Sequence, residues 1–247
     1  MTPEGVAADG GCLLPTVCIL AGGLGTRLGE RVRDTPKPLL EIAGEPFLVH
    51  QLRLLAAHGA REAVLCVGYL GERIEACIGD ERFGIGIRYS FDAPGLDGTL
   101  GAVRRALPLL GERFLVVNGD TYLPIDYVAA VATWRASALP ALMGVLHNEG
   151  RHEPSNARFA DGLVLAYDKR AASGTMDWID CGLGGFEAET IERSAKHERE
   201  LAELFARLAG ERRLCGFEAA ERYYEIGTPA AFAETEIFLR TGAGAPR

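Results

Sequence analysis

The sequence predicts an α/β domain built on a doubly wound, largely parallel sheet. Short apolar runs alternate with amphipathic segments through the first half, the order expected when strands are joined by crossover helices. Gly22 and Asp120 each stand just after an apolar run, where strands of such a sheet meet ligands at their carboxyl ends. Beyond residue 140 the strand-like runs crowd together and helices become rarer, which predicts a mixed rather than a purely parallel sheet.

Residues 17–20 form a short apolar run and read as a buried strand. Residues 47–58 carry Leu48, Leu52, Leu55 and Ala56 at helical spacing, and Gly59 follows as a stop. Residues 63–67 read as a strand, 71–78 as a short helix ended by Gly79, and 85–91 alternate as a strand. Residues 99–110 read as a helix and 114–117 as a buried strand. In the second half, 141–147 and 157–168 read as strands, the latter folded into a hairpin at Ala160-Asp161-Gly162, and 180–186 is another strand-like run. Residues 201–208 and 230–239 read as helices, the last closing the domain. Thr228-Pro229 supplies its start, because threonine caps well and proline suits the first helical position.

The 247 residues fit one large domain, and 48% apolar composition is enough for a real core. A net charge of −8 argues against a nucleic-acid or anionic-membrane partner. An acidic chain that binds polyphosphate needs local cations and a divalent metal. The cysteines at 12, 18, 66, 77, 181 and 215 show no zinc spacing, and those in apolar runs behave as small buried hydrophobes. Free thiols and the absence of an apolar stretch near ~20 residues lead to the expectation of a cytoplasmic protein. Residues 1–15 lack a basic segment and read as a loose leader, not a signal peptide.

The most informative stretch is 19–40. Glycines at 22, 23 and 25 follow the first strand, then Thr26 and Arg27, and Lys37 sits between Pro36 and Pro38. Glycine lets a backbone approach a ligand without a Cβ in the way. Freed N–H groups in such a loop point at phosphate oxygens, and the cations add charge. The glycines alone would be explained by an ordinary turn, but together with Arg27 and Lys37 they read as a phosphate site. No Gly-x-x-x-x-Gly-Lys-Ser/Thr is present at this site, which excludes a P-loop. Leu28 stands where a dinucleotide fingerprint needs its third glycine.

Ile-Leu-Ala-Gly-Gly-Leu-Gly-Thr-Arg-Leu followed by Pro-Lys-Pro-Leu resembles the signature of the sugar-1-phosphate nucleotidyltransferases, the nucleotide-sugar pyrophosphorylases. The family-like order of landmarks runs from about residue 17 to 239. The resemblance implies a Rossmann-like, GT-A-like nucleotidyltransferase fold with a small accessory sugar-binding lobe. Its nucleotide-binding part would span about 16–135 and its sugar-binding part about 136–240. The chain is similar to the compact members, without a C-terminal repeat domain, that act on heptose, mannose or amino-sugar phosphates.

What the resemblance implies for single residues is equally specific. Ala21, Gly22, Gly23, Gly25 and Thr26 would cradle the nucleotide, with Gly98 and Thr99 in the loop that reads the base. Arg27, Lys37 and Lys169 would be the catalytic cations. Asp120, after the strand at 114–117, would hold Mg²⁺ together with Glu225, which stands where the family has Asp. Asp168 would contact the sugar in place of the family's Glu, and Asp180-Cys181-Gly182 resembles the family's Asn-x-Gly sugar-binding strand. Taken alone, each of these residues has an ordinary explanation as a turn, cap or solvated charge.

The implied reaction is transfer of a nucleotidyl group from an NTP to a sugar 1-phosphate, with GTP and heptose 1-phosphate as the specific expectation. Uridylyl or cytidylyl transfer to another sugar or a non-sugar phosphate is the near alternative. A non-catalytic subunit that senses nucleotide sugars is the reading from a different class, kept alive by the substitutions at 168, 180 and 225. The sequence leaves the oligomeric state open, homo-oligomers included.

Overall fold

The computed structural model of the chain describes residues 14–23, 25, 28, 32, 34–92, 98–148, 150, 154–170 and 176–242. The first apolar run forms β1 (Thr16–Leu20), with Val17, Cys18 and Ile19 fully buried. Burial of consecutive side chains means that both faces of this strand are covered. A 3-10 turn at Lys37–Leu39 and a small ribbon, β2 (Glu41–Ile42) with β3 (Glu45–Pro46), lead into α1 (Phe47–Ala57). Next come β4 (Glu62–Val67), α2 (Gly71–Ile78), the short β5 (Glu81–Arg82), β6 (Ile85–Phe91) and α3 (Gly98–Ala106). The helix expected to reach residue 110 tightens at Leu107–Leu109 into a 3-10 turn with Pro108 inside it.

β7 (Arg113–Asn118) and the two-residue β8 (Thr121–Tyr122) precede α4 (Tyr127–Ser137), whose N-terminus is capped by Asp126 accepting from Ala129 N–H. β9 (Ala141–His147), the hairpin β10 (Ala157–Ala160) with β11 (Leu163–Tyr167), and β12 (Trp178–Glu187) follow. α5 (Ala188–Glu192), α6 (Leu201–Gly210), β13 (Leu214–Glu218), β14 (Tyr224–Glu225) and α7 (Pro229–Arg240) complete the chain. Thr228 caps α7 by accepting from Ala231 N–H, as its sequence signal predicts.

Ten strands form one sheet in the order β10-β11-β13-β9-β12-β7-β1-β4-β6-β5. β7, β1, β4 and β6 are mutually parallel, whereas β12 is antiparallel to both β7 and β9. The short β5 is antiparallel to β6 at one edge, and the larger antiparallel part begins at β12, in the half where strands crowd the sequence. Alternate residues of the strands feed two cores on opposite faces. Val17, Ile19 and Leu65 pack with Leu48, Leu52, Ile74 and Trp134, while Cys18, Val64 and Cys66 pack with Leu100, Val103 and Leu204. Cys18 and Cys66 touch as thiols at 3.4 Å, and the five cysteines within the described residues are free. No helix among the described residues is long and apolar enough to cross a membrane.

Candidate active site

The chain leaves β1 toward β4 on one side, while β7 flanks β1 on the other. This reversal of strand order opens a crevice outside the carboxyl ends of β1 and β7, the place where doubly wound sheets take their ligands. A cavity of about 940 Å³ fills it. Ala21, Gly22 and Gly23 form the wall after β1, and Asn118 through Thr121 form the wall after β7. Gly119 has room only for hydrogen, because a Cβ there would sit 2.8 Å from Leu20 O and 3.1 Å from Ala21 Cα. Its N–H donates to Leu20 O at 2.9 Å, so the two walls are stitched together at their base.

The centre of the cavity is an ion pair. Lys37 Nζ lies 2.5 Å from Asp120 Oδ2. Lys37 is only 9% exposed, and among the described residues Asp120 is the carboxylate that pairs with it. Pro36 and Pro38 stiffen the turn that delivers it. The Asp120 loop is clamped from below by Gln51, whose amide nitrogen donates to Asn118 O at 2.8 Å and Thr121 O at 3.0 Å. Glu225 reaches the same place through β14, which pairs antiparallel with β8 so that Glu225 faces Thr121, and Ile226 N–H donates to Asp120 O. Thr235 of α7 donates to Glu225 O at 2.6 Å, and Tyr224 stacks on Phe238 of the same helix at 3.7 Å.

Lys169, Arg170, Asn156, Tyr167, Asp180 and Gly182 line the opposite end. A register shift in the β12–β9 pairing between Asp180 and Gly184 turns this stretch out of a regular ladder. Asp180 accepts from Gly182 N–H at 2.8 Å and from the Tyr167 hydroxyl at 3.1 Å, while Asn156 Oδ1 accepts from Asp180 N–H. Burial pushes the Asp180 carboxyl above the usual range, more than the hydrogen bonds from Gly182 and Tyr167 and the charge of Lys169 pull it down. Tyr167 is raised well above the ordinary phenol, first by its own burial and then by Asp180.

At the other end, Gly98 and Thr99 open α3 against the loop before α6. The Thr99 hydroxyl donates to Glu200 Oε2 at 2.7 Å and accepts from Leu201 N–H at 2.9 Å. Asp92, paired with Arg105 at 3.0 Å, packs its Oδ2 over the Cα hydrogens of Gly22 and Gly68.

The sequence-derived candidates Ala21, Gly22, Gly23, Lys37, Gly98, Thr99, Asp120, Lys169, Asp180, Gly182 and Glu225 all line this one cavity. Asp168 does not: it is exposed, and its carboxylate folds back to accept from Arg170 N–H at 2.9 Å. Gly25 also lies off the cavity, packed against the stem of Lys37 at a positive φ of 64°. Thr26 and Arg27 lie outside the described residues. Gln51, Asn156 and Tyr167 went unread in the sequence, whereas the run 198–203 reads there as a solvated helix face and the structure instead buries Glu198 and sets Glu200 against Thr99 at the cavity. Gln51 had a usable signal, a lone amide on the apolar face of a helix, and Glu200 had another, a capping box with Glu203.

The fold is that of a mixed α/β nucleotidyltransferase. Residues 17–215 match the family described as the MobA-like NTP transferase domain, and the chain belongs to that family. It is 44% identical over 124 residues to N-acetylmuramate alpha-1-phosphate uridylyltransferase of Neisseria meningitidis serogroup B, covering 49% of this chain and 53% of that protein. It is 42% identical over 108 residues to D-glycero-alpha-D-manno-heptose 1-phosphate guanylyltransferase of Campylobacter jejuni, covering 44% of this chain and 48% of that protein. The chain thus matches about half the length of these curated relatives. The crystal structure of HddC from Yersinia pseudotuberculosis complexed with GMP-PN shares the fold, with a TM-score of 0.77 and 23% identity over 92% of this chain and all of that one.

Proposed function

We propose that the chain transfers a nucleotidyl group from an NTP to a sugar 1-phosphate, releasing pyrophosphate. The observation that carries the reading is the gathering of Lys37, Asp120, Glu225 and Lys169 with the Gly22–Gly23 wall in one cavity. The names of the two relatives support a sugar 1-phosphate as acceptor, and GTP with heptose 1-phosphate is the first pair to try. About 16–135 would bind the nucleotide and about 136–240 the acceptor. Work on NTPs and the free buried thiols both fit a cytoplasmic enzyme.

In the reaction an oxygen of the acceptor phosphate attacks the α-phosphorus of the NTP. A new O–P bond forms as the bond from the α-phosphorus to the α–β bridging oxygen breaks, and pyrophosphate departs with the electron pair. The protein's contribution is position and charge. Gly22 and Gly23 would let the backbone close on the nucleotide, with Gly98 and Thr99 at its base. Lys169 would hold the acceptor phosphate, Lys37 would face the NTP phosphates, and Arg27 would steady the departing pyrophosphate. Asp180 and Gly182 would contact the acceptor beyond its phosphate. Asp168 would not reach it in this arrangement, so the implied sugar contact would fall to Asp180 and Gly182.

Asp120 and Glu225 fit a magnesium ion. They are two hard oxygen donors that line one cavity, with Glu225 opposite Thr121 in the β8–β14 ribbon, and Mg²⁺ takes one or two carboxylates plus substrate phosphates. Among the described residues no group of three or more His, Cys, Asp or Glu could hold a metal by itself, so substrate phosphates would have to supply the remaining ligands. When bound, the ion would neutralise charge on the α-phosphate. Lys37 would then exchange its hold on Asp120 for the incoming phosphates.

The test is pyrophosphate release with each common NTP and a panel of sugar 1-phosphates, with Mg²⁺ and after chelation. Release with a matched pair, abolished by chelator and reduced about 10²–10³-fold in Lys37→Met, is the expected result. Nucleotide binding without release across the whole panel would favour the sensor reading instead.

A further inference from the structure

Asp180 differs from Asp120 and Asp92, two other aspartates that line the cavity. Asp120 is neutralised by Lys37 and Asp92 by Arg105, but the partners of Asp180 are all neutral. Its two oxygens accept from Gly182 N–H and from the Tyr167 hydroxyl. Among the described residues no lysine, arginine or histidine forms an ion pair with it. Lys169 attracts it only from a longer range, and in the transferase reading that lysine is committed to the acceptor phosphate.

A half-buried carboxylate with no counter-charge in contact carries part of the cost of desolvation, and a cation or further strong donors recover it. The two oxygens have about four acceptor sites, of which two are filled by these hydrogen bonds. Asp180 is itself part of the cavity lining, together with Lys169 and Gly182. A neutral amide at this position would accept the same Gly182 N–H and would serve a neutral sugar without that cost. An ionised carboxylate offers only acceptor sites and a full negative charge, which a neutral heptose would leave uncompensated.

We infer that the acceptor carries a protonated amine that seats on Asp180, so that the substrate class is an amino-substituted sugar 1-phosphate. The inference rests on the transferase reading and narrows its acceptor. The acceptor then matches the site at two points of opposite sign, its phosphate on Lys169 and its ammonium on Asp180. The nucleotidyl transfer itself is unchanged. The ammonium stays intact, since the attacking atom is the phosphate oxygen.

The experiment compares kcat/KM for amino-sugar 1-phosphates, the amine placed at each ring position in turn, with their hydroxy and N-acetyl counterparts. The wild-type chain and Asp180→Asn are assayed side by side. One amino acceptor should exceed its hydroxy and N-acetyl counterparts on the order of tenfold to a hundredfold. The difference should lie mainly in KM, and Asp180→Asn should level it. Pyrophosphate release at equal efficiency from amino and hydroxy acceptors, with a ratio unmoved by Asp180→Asn, would overturn the inference and leave the transferase reading standing. If no acceptor supports release, calorimetry with the same acceptors and a non-hydrolysable NTP separates the two. Preferential binding of an amine, lost in Asp180→Asn, would uphold the Asp180 site while the transferase reading falls, and no preference would sink both.

Discussion

Gln51 lies on the buried face of α1, and its amide nitrogen spans the carbonyls of Asn118 and Thr121 on either side of Asp120. One side chain thus fixes the height of the loop that presents the carboxylate. Its own Oε1 has no partner among the described residues, so the clamp is kept at the cost of an acceptor left unsatisfied there. Gln51→Leu removes that orphan but leaves two carbonyls without their donor. We expect a loss of about 1–3 kcal/mol in denaturant unfolding, with activity falling further at limiting than at saturating Mg²⁺.

Asp180 gives a second prediction at the same scale. Burial raises its carboxyl in the folded state, so the folded protein holds the proton to higher pH than the unfolded chain does. Stability from this group therefore falls as pH rises from the ordinary aspartate range through the raised value. Asp180→Asn should match the wild type in strongly acid buffer and melt at least as high near neutrality. A variant less stable than wild type at neutral pH would contradict the account. These residues show how far the sequence could be read. Motif positions such as Lys37 and Asp120 were visible one at a time, but their pairing across 83 residues exists only once β1 and β7 are neighbours. Asp168 could not be separated from Asp180 by sequence, because a turn that lets a carboxylate cap its own backbone leaves no periodic signal.

At the scale of elements, α3 is positioned by the loop before α6. Gly98 has a φ of +70°, and a Cβ there would lie 2.4 Å from Arg199 O. Leu100 N–H donates to that same carbonyl at 2.9 Å. Gly98→Ala must push this loop away, and we expect a loss above about 1 kcal/mol by thermal or chemical denaturation together with a raised KM for the NTP. The loop has its own anchor in Glu198. Burial works against the charge of this carboxylate, but the Arg207 guanidinium and Ala195 N–H outweigh it and hold its pKa below the usual range. The stabilisation is present above the ordinary glutamate pKa and is lost as pH falls through the lowered value. Glu198→Gln should thus melt below wild type near neutrality, and the gap should close in acid.

The elements of the first half were legible because each pairs a clean period with a stop. Residues 71–78 and 85–91 fall where the sequence puts them. β13 was missed: it is five residues long with Gly216 in the middle, too short for alternation to register. Its place is set by pairing with β9 and β11 rather than by its own composition. α4 was also missed, although Asp126 and the buried Tyr127, Ala130, Val131 and Trp134 carried a readable cap and spacing.

For the whole molecule, the decisive feature is the reversal of strand order at β1. It brings a loop from near residue 22, another from near residue 120 and a third from near residue 225 to one mouth. A chain of net charge −8 concentrates lysines there against its own overall repulsion of polyanions. Rising salt should therefore weaken binding of the NTP less than it would for a surface site, since Lys37 is buried and screened little. The central claim is that the cavity moves the α-phosphoryl of an NTP onto a phosphate acceptor. Its most direct test follows label from NTP marked separately at the α and the γ position. The account predicts that α label enters the acceptor product and γ label leaves in pyrophosphate, both lost in Asp120→Ala. Appearance of γ label as inorganic phosphate or on the acceptor, with α label left in NDP, would contradict it.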